Sequence, residues 1–372
     1  MLKTFGGSLV VTVVGLAAAL AYGGPTGLAV AAILAVLEVS LSFDNAVVNA
    51  TILVKMSPFW QKMFLTVGVA IAVFGMRLLF PLIIVGITAK LSPVEAIRLA
   101  LAKGDAHTPG TYGYLLHQAH PAIAAFGGVF LLLLFLDFVF EERELTWLTW
   151  VERPLARIGK LDQLSVVIAL IAVAVAAYEL APANKVSTVL VSGILGMVTY
   201  LLVNGLGELF NIEEEDEEVA EGAGAASNAP KRKNVAVQVG KAAFFLFLYL
   251  EVLDASFSFD GVVGAFAITS DPILIAIGLG IGAMFIRSLT VLLVRQGTLS
   301  EYEYLEHGAL WAIGALAVLL LITIKYEVPE VVTGLIGVAF IGAAFISSVV
   351  RNRRSIDSDS TSGEPKAQAV TV

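Results

Sequence analysis

Long apolar runs dominate the chain, and two of them carry acids near their middle. The first reads Glu38-Val-Ser-Leu-Ser42-Phe-Asp44-Asn45, and the second Asp254-Ala-Ser-Phe-Ser258-Phe-Asp260-Gly261. Runs of about 20 apolar residues cross a bilayer as helices. A carboxylate at mid-bilayer costs about 2.5–3.5 kcal/mol even on the lenient insertion scale, so four cost roughly 10–14 kcal/mol before any partner is counted. Such a pattern persists only if counter-charges, water or an ion meet the acids.

Composition agrees with a chain immersed in lipid. Of 372 residues, 58% are hydrophobic and 15% charged, against about a quarter charged in a soluble domain. Cysteine is absent, which excludes disulfides, thiolate metal sites and thiol redox chemistry. With four histidines and no cysteine, oxygen donors remain, and these suit Mg²⁺, Ca²⁺ and Mn²⁺ rather than soft metals. The net charge of −8 comes largely from one polar segment, so no nucleic-acid partner is expected.

Apolar patterning predicts an all-α polytopic membrane protein of about ten transmembrane helices. They fall near 8–22, 27–54, 62–88, 119–140, 163–181, 187–210, 240–268, 272–294, 305–325 and 329–350. Residues 1–26 read as the first helix, with a cleaved signal peptide as the alternative because small residues follow the apolar core. The first repeat half covers 27–210, and 211–239 form an acidic linker that ends in Lys231-Arg232-Lys233. The second half covers 240–350, and a Ser/Thr/Asp-rich tail, expected to be disordered, covers 351–372. Lysine and arginine placement puts both termini on the cytoplasmic side of the cell membrane. The segment 89–118, with Lys90, Arg98 and Lys103, is the exception.

The likeness between the halves continues beyond the acids. Ile71-Ala-Val-Phe-Gly-Met-Arg77 lines up with Ile281-Gly-Ala-Met-Phe-Ile-Arg287, and His120 and Gly127 with His307 and Gly314. An odd number of spans separates the copies, which predicts an inverted-topology repeat with a site between the halves. Carboxylates six positions apart do not share a face of a regular helix. Both helices are therefore expected to unwind near the Ser-Phe-Asp triplets, where Asn45 and Gly261 tolerate unusual backbone angles.

The candidate metal ligands are Glu38, Asp44, Asn45, Asp254 and Asp260, supported by Arg77, Arg287, Glu251, Ser42 and Ser258. The four paired acids and two arginines leave two negative charges, the complement of one divalent cation. Asp137, Glu179 and Glu327 stand near helix ends, where plain interfacial solvation is expected.

At Glu38…Ser42-Phe-Asp44-Asn45 and Asp254…Ser258-Phe-Asp260, and at Phe285-Ile-Arg287-Ser-Leu, the chain resembles the tellurium-resistance TerC family of the lysine-exporter type superfamily. The resemblance implies a metal exporter, manganese first, with Asp44, Asn45, Asp254 and Asp260 on the ion. The expected function is export of a divalent cation, Mn²⁺ favoured, by a non-enzyme without a resident cofactor. Its partners would be the ion and the bilayer, with a homo-oligomer or a stress-response membrane complex as further candidates. The alternatives are export of a small organic solute such as an amino acid, an intramembrane aspartyl protease, and a membrane scaffold. The protease lacks support because Ser-Phe, not a Gly-x-Gly turn, precedes Asp260.

Overall fold

The computed structural model describes residues 2–102, 104, 107–143, 145–161, 163–222, 240–295 and 301–361. A few side chains inside helices, among them those of Asp44, Ser258 and Asp260, lie outside the described set. The described chain is all-α, and seven of its helices are long and apolar enough to cross a membrane. It is a multi-pass membrane protein.

The first helix, α1 (Leu2–Leu41), folds back on itself at Gly24, where φ is 63° and Pro25 follows. A left-handed φ there suits glycine, and proline removes the next amide donor. Both arms of α1 then lie along α11 (Pro272–Arg295). Ser8 on the first arm donates to the Met284 carbonyl at 3.0 Å. On the second arm, a Cβ at Gly278 would stand 2.5 Å from that of Leu34, and one at Gly282 would overlap Glu38. Glycines in α11 thus let the second arm approach closely enough to lay Glu38 against it.

After Leu41 the helix breaks at Ser42 (φ −101°, ψ 20°), and α2 (Phe43–Leu53) resumes. The unwinding expected in the first acidic motif is present. The second motif differs: α10 (Gly240–Ile268) runs unbroken through 254–260. Its carboxylates therefore keep ordinary helical spacing, and only the first copy spends backbone hydrogen bonds on a break.

The chain continues through α3 (Pro58–Met63), a π-helix π1 (Phe64–Gly68), a second one π2 (Ile71–Leu79) and α4 (Phe80–Ala89). Lys90 ends α4 in the left-handed region. A short helix, α5 (Pro93–Leu101), carries a reciprocal Ser92–Glu95 capping box. At the centre of the bundle stands α6 (Tyr112–Phe140), whose Phe130, Leu131 and Leu133 are fully buried. It packs on α9 (Val186–Gly222) and α12 (Leu305–Thr323), and less closely on α8 (Leu164–Val175), which runs on into a π-helical end, π3 (Ala176–Leu180). The last helix is α13 (Glu330–Thr361).

Three features depart from the sequence reading. Among the described residues, seven helices are long and apolar enough to cross a membrane where the sequence suggested about ten spans: the two arms of α1 form one folded element, and 164–180 is short. No inverted repeat is shown, and the two motif copies differ in local structure, one broken and one continuous. The helix α9 continues to Gly222 and takes the acidic run 213–218 into its last turns. Residues 223–239 and 362–372, the rest of the expected linker and tail, lie outside the described residues.

One polar anchor holds the segment after α6. Glu152, on the short helix α7 (Thr149–Ile158), is buried. It accepts from the Trp147 and Leu148 amides at 3.0 and 3.2 Å and from Trp311 Nε1 at 3.0 Å, with His307 Nδ1 at 3.3 Å. Two donors are orphan amides at the start of its own helix, and two belong to α12. Burial pushes this carboxyl up, but the hydrogen bonds and His307 outweigh it and hold it at about 2. The folded value is depressed, so the anchor stabilises above the ordinary carboxylate value of about 4.3 and weakens as pH falls from there toward about 2. Glu152→Ala strands three donors and should cost about 1–3 kcal/mol. Thermal unfolding in detergent at neutral pH should show the loss, and the gap from wild type should narrow on acidification.

Candidate functional site

The acidic motifs and both arginines meet at one buried centre. Glu38 ends the second arm of α1, and Arg77 lies in π2. Arg77 Nη2 donates to Glu38 Oε1 at 2.5 Å and its Nη1 to the Ala72 carbonyl at 2.7 Å. That carbonyl lies five residues back in the same π-helix. Across the centre, Arg287 on α11 donates to Asp254 at 3.1 Å and to Glu251 at 3.4 Å. Its Nη1 also donates to the Phe64 carbonyl at 2.8 Å, and its guanidinium lies 4.0 Å over the Phe64 ring. Space for this comes from Gly68, where any Cβ would strike the Arg287 and Glu251 side chains.

Glu38, Glu251, Asp254, Arg77 and Arg287 are all buried. Two opposite charges 4 Å apart attract by about 4 kcal/mol at an effective dielectric of 20. That is comparable with the insertion cost of each acid, about 2.5–3.5 kcal/mol. Pairing with arginine therefore offsets much of the cost of placing these carboxylates inside the bundle.

Between the pairs lies a cavity of about 10 Å³, lined by Glu38, Ser42, Asn45, Arg77, Asp254 and Arg287 with Ala283 and Ile286. That is near the smallest space able to hold one water. Glu38, Ser42 and Asn45 also line a far larger vestibule of about 1170 Å³. His107, His117, His120, Lys185, Lys325 and Glu327 stand along that vestibule.

Of the residues singled out in the sequence, Glu38, Ser42, Asn45, Arg77, Asp254 and Arg287 share this cavity, and Glu251 joins through Arg287. Asp44 opens α2 beside Asn45, and Asp260 lies on α10 before Gly261. Their side chains and that of Ser258 fall outside the described set. Among the described residues, no group of three or more acids and histidines is placed to hold a metal. The described centre is instead two arginine–carboxylate pairs facing each other, with Glu251 as an extra acid.

The sequence reading missed Asn49 and Phe64. Asn49 is fully buried and its Nδ2 lies 3.5 Å from Asp254 Oδ1. A signal existed, since Asn49 follows Asn45 by four residues and so shares its helix face. No sequence pattern marks Phe64, whose part is its carbonyl and ring face.

Residues 43–355 match the protein-family model described as "Protein of unknown function (DUF475)". The chain belongs to that family. This corrects the resemblance to the tellurium-resistance family: the second acidic motif and the end of the first, Phe43-Asp44-Asn45, lie inside the DUF475 match, and that match extends over most of the chain. A likeness over short acidic motifs is weaker than a match across 43–355. The superfamily membership and manganese preference implied by the resemblance lose that support. No curated protein and no solved structure matches the chain.

If the arginines neutralise the acids, Arg287→Met should strand Glu251 and Asp254 and cost about 3–5 kcal/mol. The triple variant Arg287→Met, Glu251→Gln, Asp254→Asn should recover most of that loss. Thermal unfolding in detergent reads both. Equal destabilisation of the single and triple variants would show that packing of Arg287, not its charge, matters.

Proposed function

We propose that this member of the DUF475 family is a membrane transporter for a hard divalent cation, which passes through the carboxylate centre. The carrying observation is that Glu38 and Asn45 line both the buried centre and the 1170 Å³ vestibule, so an acidic site deep in the bundle adjoins a wide opening. In this reading the arginines are internal counter-ions. They hold the acids while the centre is empty, and an incoming cation competes with them. Asp44 and Asp260 belong to the proposed ligand set because the described acids are already in contact with arginine, which leaves one extra negative charge among them.

Oxygen donors suit Mg²⁺, Ca²⁺ and Mn²⁺. Without the tellurium-resistance family, oxygen chemistry alone does not rank Mn²⁺ above the others. Ten crossings fit the helices if the arms of α1 count as two and α8 with π3 and α10 count as one each. The basic loops then lie on the cytoplasmic side with both termini, and the halves run in opposite senses.

A second reading, transport of a small organic solute, is favoured by the size of the vestibule, since small-molecule pockets are about 300–1,000 Å³.

The test is uptake by proteoliposomes of purified protein, with Mn²⁺, Mg²⁺ and Ca²⁺ offered separately and labelled amino acids in parallel. Wild type should move at least one cation, and Glu38→Gln and Asp44→Asn should fall to the rate of protein-free vesicles. Cation movement undiminished in both variants would place the route elsewhere. Amino-acid uptake without cation uptake would select the second reading.

A further inference from the structure

A second chamber of about 750 Å³ lies at the other end of the same helices. The vestibule is lined by His117 and His120 near the start of α6, Thr323 at the end of α12, and Phe266 near the end of α10. The second chamber is lined by Asp137 and Phe140 near the end of α6, Glu306 at the start of α12, and Tyr249 in the first half of α10. A helix of 29 residues such as α6 is about 43 Å long, more than the hydrocarbon thickness of about 30 Å. The two chambers therefore face opposite sides of the membrane, and they share no lining residue among those described.

The partition between them is thin. On α2, Asn45 lines the centre while Val48 and Thr51 line the second chamber, a separation that begins at about 4.5 Å of helix. On α10, Asp254 lines the centre and Tyr249 the second chamber, about 7.5 Å apart along the axis. Asn49, Leu250 and Leu253, all 0% exposed, fill the gap. Asn49 is its polar point. Its amide reaches Asp254 only at 3.5 Å, and its Oδ1 has no hydrogen-bond partner among the described residues. An unsatisfied buried acceptor costs about 1–3 kcal/mol, a cost that an apolar residue in the same place would avoid.

In the second chamber Arg143 pairs with Glu141 at 2.6 Å and lies 3.8 Å from Glu306. Asp137 instead accepts a hydrogen bond from the neutral Tyr200 hydroxyl at 2.6 Å, a bond that leaves its charge in place.

We propose that Asn49 is the gate between the two chambers, offering its amide oxygen to a passing cation, and that Asp137 is the cation-docking carboxylate of the second chamber. This rests on the cation-transport reading above. In the described state the gate is closed, and the centre adjoins the vestibule alone.

The natural chain has no cysteine, so single cysteines report water access without background. Ser42→Cys and Thr51→Cys are introduced separately in the full-length protein in oriented vesicles and treated with a membrane-impermeant thiol reagent. Each should label from one side only, and from opposite sides. Adding Asn49→Ala should let each label from both sides, while Asn49→Leu, which refills the space, should keep sidedness and abolish cation movement. Mn²⁺, Mg²⁺ or Ca²⁺ should slow labelling at Thr51→Cys, and Asp137→Asn should remove that protection. Labelling of both cysteines from the same side, or sidedness unchanged by Asn49→Ala, overturns the gate whether or not the protein moves a metal. Sided labelling with no protection by any of the three cations overturns the docking role of Asp137 and counts against the cation reading itself.

Discussion

Two guanidinium–carboxylate contacts inside the bundle make the rest of this structure tolerable. Arg77 on Glu38 and Arg287 on Asp254 and Glu251 place five formal charges out of water. Either arginine alone would be as costly to bury as the acids it faces. Together they are close to neutral, and Nη1 of each guanidinium also reaches a backbone carbonyl, Ala72 for Arg77 and Phe64 for Arg287, while neither Nε has a hydrogen-bond partner among the described residues. The centre is a set of mutual dependencies, in which each charge is tolerable because of the one it faces.

Backbone irregularity supplies the room. The carbonyl that accepts from Arg77 lies in π2, and the one that accepts from Arg287 lies in π1. Gly68 leaves space for the Arg287–Glu251 contact, and Gly282 lets Glu38 rest on α11. The break at Ser42 changes the direction of the chain between Glu38 and Asn45, so that both line one cavity. A straight helix would hold these two, seven residues apart, two turns from each other. These are local departures from regular helix at the places where charge is buried, the usual setting for function in a membrane protein.

A charged centre that touches one wide vestibule, and stops about a helical turn short of another, has the layout of a path closed at one point. The proposed cation and gate follow from that layout and from oxygen-donor chemistry. Family membership contributes the extent of the matched region, 43–355, and no activity. The arginines set the competition a substrate must win: a cation entering the centre has to replace interactions the acids already make.

Some of this was legible from residue order alone. Buried acids in apolar runs, arginines in neighbouring runs and the absence of cysteine determined a multi-pass helical protein with a charge-compensated, oxygen-rich centre, because lipid leaves no other partner for such groups. The break at Ser42 was also readable, from the six-residue spacing. Tertiary structure decided the rest. It decided that α10 stays unbroken where its sister motif does not, since helix continuity depends on the neighbours that receive its backbone. It joined Glu251 to Arg287 and brought Asn49 to Asp254 across 205 residues. It also set Asp137 in a chamber, because which end of a helix meets which cavity is fixed by packing and leaves no mark in spacing or composition.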